Sequence, residues 1–294
     1  MGFSRRIRIA SSGVVVGLLA AGASVATAPA AHAATFTSGD LVVLQVGTGS
    51  TLSSAAAPLT LDEFATSGGA AVQNIALPTA DSGGGQFALT ESGSAGSEGA
   101  LNLSSDGHYL AVAGYDATPG TAGVASSATI GRVVGLIDGS GNVDTSTRLT
   151  NTSQANNFRS AVTSNGTDIW TGGAGGQSGN VDGGVRYTTK GSTTSTAIVP
   201  TGTFSNGRVV EIQNGQLYTS TQKAPIGIDK VGTGLPTTTG QSISSVVSAG
   251  VPGDPYAFAF VDRDSSVSGP DTLYVADQTS GLLKYSFDGT SWTA

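Results

Sequence analysis

Apolar and polar residues alternate with a period of two in short runs, and the runs come in pairs around an Asx-Gly turn. Three pairs are plain: Glu98 to Tyr115 (EGALNLSSDGHYLAVAGY), Asn157 to Gly173 (NFRSAVTSNGTDIWTGG) and Asn206 to Ser220 (NGRVVEIQNGQLYTS). A looser fourth pair runs from Tyr256 to Asp277. Period-two alternation predicts half-buried strands, and Asx-Gly predicts a tight hairpin because the turn needs positive φ. No sustained 3.6-residue period follows residue 33, and the 44 glycines make helix costly.

The pairs recur every 49 to 59 residues, and each leaves room for two further strands. In the first copy the spacing predicts strands at Ala100–Ser104, Tyr109–Gly114, Arg132–Ile137 and Val143–Leu149. In the second they fall at Arg159–Thr163, Asp168–Thr171, Gly184–Thr188 and Ser195–Val199. The third gives Arg208–Ile212, Gln216–Ser220, Ile226–Val231 and Ser242–Val247. The fourth gives Tyr256–Val261, Thr272–Ala276, Leu282–Phe287 and the start of a strand at Trp292. Four antiparallel strands in about 50 residues make one blade of a β-propeller. Upstream, Leu41–Val46, Leu59–Ala65 and Val72–Leu77 read as the second, third and fourth strands of a further blade. The expected fold is therefore an all-β propeller of four-stranded antiparallel blades. About five blades are visible, and the missing inner strand points to a C-terminally incomplete ring of six or seven; a five-bladed ring with a defective closing blade is the alternative.

Composition adds a location. Residues 1–33 have a basic start (Arg5, Arg6, Arg8), an apolar stretch (Val14–Ala23) and an Ala31-His32-Ala33 cleavage site, the pattern of a secretory signal peptide. Residues 34–294 then form a single propeller domain, secreted and extracellular. Losing residues 1–33 removes three of the 13 Lys and Arg and none of the 20 acids, which leaves a formal charge of −10. No basic stripe is present, which argues against nucleic-acid binding. The chain has no cysteine, so it can form no disulfide. No later apolar run is long enough for a helical membrane span. A monomer is expected if the ring is complete.

Leu273-Tyr-Val-Ala-Asp277, followed by Gly281-Leu-Leu-Lys-Tyr285, resembles the repeat core of NHL-type propellers. The other copies, such as Leu110-Ala-Val-Ala-Gly114, lack the Asp. The whole chain resembles secreted bacterial β-propeller proteins. That resemblance implies the fold and no particular activity.

The sharpest internal signal is Asn-x-Arg-x5-Asn-Gly, at Asn157/Arg159 and again at Asn206/Arg208. Glu98 takes the place of the first Asn in the first copy. Glu98, Asn157 and Asn206 thus fall just before the innermost strands, around one mouth of a central channel. With Arg159 and Arg208 they form a candidate ligand-binding set. Two arginines there could hold a carboxylate or phosphate. The same residues could instead cap strand ends and pair neighbouring blades.

Asp138, Ser140, Asn142 and Asp144 have the alternate spacing of a calcium loop. Val143 and Leu149 stand where such a loop wants Gly and Glu, so a plain hairpin turn fits equally. No cofactor is firm, and Ca²⁺ is the one candidate. His108 is the sole histidine after residue 33 and sits in a turn, so no histidine-dependent triad or two-histidine zinc site can be drawn. Arg186 and Tyr187 leave a ligand-or-packing choice open. Tyr109, Trp170, Tyr218 and Tyr274 recur on the second strand of each copy and are expected to pack between blades.

Three readings follow. The first is a secreted, non-catalytic binding or scaffold propeller for an extracellular ligand or protein. The second is a propeller hydrolase of lactonase or phosphoesterase type, with a channel metal held by Glu98, Asn157 and Asn206. The third is a structural protein of the cell surface or matrix. Poverty in catalytic side chains favours the first.

Overall fold

The computed structural model describes residues 35–199, 204–247 and 253–294, and the expected signal peptide lies outside them. The first blade is built from β1 (Leu41–Val46), β3 (Leu59–Phe64) and β4 (Gln73–Ala76), hydrogen-bonded in that order. A short β2 (Ala56–Ala57) precedes β3 and pairs with β5 (Glu91–Ser92), a pairing the alternation did not predict. The second blade runs β6 (Leu101–Leu103), β7 (Tyr109–Tyr115), β8 (Arg132–Asp138) and β9 (Val143–Leu149). The third runs β10 (Phe158–Thr163), β11 (Asp168–Gly173), β12 (Gly184–Thr189) and β13 (Thr196–Ala197). The fourth runs β14 (Val210–Gln213), β15 (Gln216–Thr221), β16 (Gly227–Val231) and β17 (Ile243–Val247). The fifth runs β18 (Pro255–Val261), β19 (Thr272–Asp277), β20 (Gly281–Phe287) and β21 (Trp292–Thr293). The described residues thus make a five-blade β-propeller arrangement of antiparallel sheets, with three strands in the first blade and four in each of the others.

The Asx-Gly turns hold as expected. Gly107, Gly166 and Gly215 have φ of 75°, 75° and 71°, and Asn214 joins Gly215 at 48°. Asn165 shows why Asx is useful there: its Oδ1 accepts the amides of Thr167 and Asp168, both at 2.9 Å.

Several strands are shorter than the pattern predicts, β4, β6, β13 and β14 among them. β13 covers two residues of the expected five; at its start the Ser195 side chain and carbonyl are taken by the Arg186 guanidinium at 2.8 and 3.0 Å. β14 starts two residues late, where both Arg208 and Val209 bond Ser220 in place of a one-to-one pairing: Arg208 N donates to Ser220 O at 2.9 Å and Ser220 N to Val209 O at 3.0 Å.

Apolar residues gather between the blades. Four clusters among the described residues sit at the four successive interfaces. Leu59, Leu61 and Leu89 meet Val112 and Val133. Tyr115 and Leu149 meet Phe158 and Ile169. Trp170 and Val185 meet Val210 and Leu217. Val209 and Ile228 meet Phe258 and Val275. The recurring aromatics join this packing: Trp170 stands 5.4 Å from Tyr187, and Tyr218 stands 4.7 Å from Phe260, ring centre to ring centre.

Candidate functional site at the inner-strand ends

The first strand of each later blade faces the axis, and these strands approach closely. Asn102 on β6 donates from Nδ2 both to Ala161 O on β10 at 2.7 Å and to Val210 O on β14 at 3.2 Å. The chain entering these strands carries Glu98, Asn157 and Asn206, and Asp254 occupies the same place ahead of β18. Two residues further on stand Ala100, Arg159, Arg208 and Tyr256.

This spacing builds a clamp that repeats from blade to blade. Arg159 is 8% exposed and donates from Nη1 to Asn206 Oδ1 and, at 3.2 Å, to Gly207 O of the next blade. Arg208 is 4% exposed and does the same one blade on. Its Nη1 donates to Pro255 O at 3.1 Å and pairs with the Asp254 carboxylate, while Nη2 donates to Gln222 Oε1 at 2.7 Å. Its guanidinium also lies 3.9 Å from the Tyr256 ring centre. In the second blade Ala100 has no reach, and Glu98 makes the crossing itself. Glu98 Oε1 accepts Asn157 Nδ2 at 2.6 Å and the Tyr115 hydroxyl at 2.5 Å. That hydroxyl in turn accepts the Phe158 amide at 3.1 Å.

All five residues singled out at the mouth therefore meet at one end of the inner strands. The structure brings Glu98 and Asn157 together, and it gives the Asn206 oxygen to Arg159. Burial raises the Glu98 carboxyl above the usual range, against the opposing bonds from Tyr115 and Asn157. Burial, and then the neighbouring charge of Arg208, lower the pKa of Arg159.

Above the clamp opens a cleft of about 710 Å³. One wall is the Gly96–Ser97 turn leading into the second blade. The other is Tyr256 with Ala276, Asp277, Gln278, Gly281 and Leu282 of the fifth blade. Arg159 touches the first wall, donating from Nε to Ser97 Oγ at 3.2 Å. Arg208 backs the second through Tyr256. Asp277, at the end of β19, accepts the amides of Asp254, Thr279 and Ser280 at 2.7, 2.9 and 2.7 Å, and so shapes the wall as a turn anchor.

The remaining candidates lie elsewhere. Asp138 accepts the Ser140 and Asn142 amides at 2.9 and 3.0 Å and Asn142 Nδ2 at 2.9 Å, closing its own hairpin turn. Asp144 accepts Ser146 N at 2.9 Å and lies 3.6 Å from Lys190 Nζ. Among the described residues, no group of three or more His, Asp or Glu is arranged to hold a metal. His108 lies in a separate groove beside Leu41 and Leu103. Tyr187 donates to Asp168 Oδ1 at 2.6 Å.

The sequence reading missed Asp254, Tyr256 and Ser97 as site residues. Asp254 lies 48 residues after Asn206, close to the repeat spacing, but Asp-Pro-Tyr does not match Asn-x-Arg. No family model matches the chain, and no curated protein matches it.

Proposed function

We propose that this protein is a secreted, extracellular binding or scaffold module that takes a ligand in the cleft between Ser97 and Tyr256. The observation that carries the reading is the division of labour at the mouth. The charged side chains are spent on inter-blade bonds and hold the walls, while the walls themselves offer a hydroxyl, an aromatic ring and an amide to solvent. Rigidly held polar groups beside an aromatic surface suit recognition.

The test is an array of glycans, peptides and extracellular proteins probed with the purified chain, repeated with Ser97→Trp, which fills the cleft. A ligand whose binding falls at least tenfold in Ser97→Trp, with the melting temperature unchanged, supports the reading. Binding that is indifferent to Ser97→Trp, or chelator-sensitive hydrolysis of lactones or phosphoesters, overturns it.

A further inference from the structure

One buried charge belongs to none of the inter-blade bonds. Glu91 on β5 is 2% exposed, and its Oε1 has no hydrogen-bond partner among the described residues. Its other oxygen faces Gly99, where a Cβ would stand 3.2 Å from Oε2. Gly99 also has φ of 83°, so backbone and carboxylate fit closely there. Glu98 lies beside it. Its Oε1 is filled by Tyr115 and Asn157, but its Oε2 receives a single long contact, 3.4 Å from the Ser92 amide.

The pair therefore has two carboxylate oxygens left over in a site shielded from water. The charges of Arg132 and Arg159 act on Glu98, but their hydrogen bonds go to other groups. Arg132 gives its terminal nitrogens to the carbonyls of Ala125, Ser127, Ile130, Ser153 and Asn156. Arg159 is held by Ser97, Asn206 and Gly207. Burial, and then the charge of Glu98, push the Glu91 carboxyl well above the usual range. A buried carboxylate with an unfilled oxygen is costly, and it is relieved by a proton or by a bound cation.

We propose that Glu91 and Glu98 form a Ca²⁺ site, with Glu91 Oε1 and Glu98 Oε2 as its anionic ligands. Water would supply the remaining oxygens of the shell. The donor set decides the metal class. It is all oxygen, with two carboxylates and no imidazole or thiolate, which suits a hard cation. Ca²⁺ fits better than Mg²⁺ because it tolerates an irregular shell. The site differs from the Asp138 loop, whose carboxylate is already saturated by its own turn. It is independent of what fills the cleft, although the ion would fix the Gly96–Ser97 wall through Glu98.

The test uses the full chain after chelator treatment. Ca²⁺ at 1 mM raises the melting temperature by about 5 °C, and Glu91→Gln abolishes that rise. Tb³⁺ excited through tyrosine gives sensitised emission that Ca²⁺ displaces and that Tyr115→Phe weakens severalfold, because Tyr115 touches Glu98. Calorimetry on the unmutated chain covers the case in which a variant fails to fold, and one Ca²⁺ per chain is expected. No heat and no melting shift overturn the proposal, as does a shift that survives Glu91→Gln but disappears in Asp138→Asn. A Ca²⁺-indifferent chain that Glu91→Gln stabilises at pH 8 also overturns it, and shows that the pair holds a proton instead.

Discussion

The middle blades and the end blades bury their strands differently. All six residues of β10 and five of the seven in β7 are buried. In β18 burial alternates, with Phe258 and Phe260 inside and Ala257, Ala259 and Val261 outside. β1 alternates too, and Leu41 and Val43 are 59% and 42% exposed. Yet β10 reads Phe-Arg-Ser-Ala-Val-Thr, while β1 reads Leu-Val-Val-Leu-Gln-Val. The more polar strand is the more buried one. Burial here is set by having a blade on each side, and polar residues are tolerated there because a neighbour supplies their bonds. Ser160 shows this: its hydroxyl donates to Arg208 O at 2.6 Å and accepts the Val210 amide at 3.0 Å.

The contrast can be tested most strongly at Trp170, which is 1% exposed and donates from Nε1 to Pro236 O at 2.7 Å. Trp170→Ala should cost about 3–5 kcal/mol in urea unfolding. Arg208→Met comes next, at about 3 kcal/mol, because it strands the Asp254 carboxylate. A double-mutant cycle with Asp254→Asn should recover much of that loss, and additive costs would refute the clamp.

Asp229 on β16 gives a pH-dependent case. It is fully buried, and burial raises its pKa to about 7 against the opposing effect of the Ser245 hydroxyl. Its folded pKa lies above its unfolded value, so its contribution is present at low pH and lost as pH rises through about 7. Asp229→Asn should therefore match the parent near pH 4 and exceed it at pH 8 by an amount on the order of 2 kcal/mol. A constant difference across that range would refute the assignment. The smallest effect belongs to the end faces. Leu282 is 75% exposed, and Leu282→Ser should change stability by less than about 0.5 kcal/mol. A larger loss would mean that this face is covered in solution.

Much of the fold was legible because its signals are local. Asx-Gly turns need particular φ values, and alternation marks a strand whatever lies beside it. The strands from Tyr109 and Asp168 begin where the pattern places them. The inter-blade bonds were legible only in part. Arg159 and Arg208 stood out because they repeat, but which groups they meet depends on the stacking of blades. Glu91 gave no signal at all. It sits in a Gly- and Ser-rich stretch without alternation, and its strand pairs with Ala56–Ala57, some 35 residues earlier. A two-residue pairing at that distance leaves no period to read.

Asn102 ties three blades at once. One amide bridges β6 to main-chain carbonyls of β10 and β14. A single small side chain is thus a shared keystone, and its loss would leave carbonyls of two other inner strands without that donor.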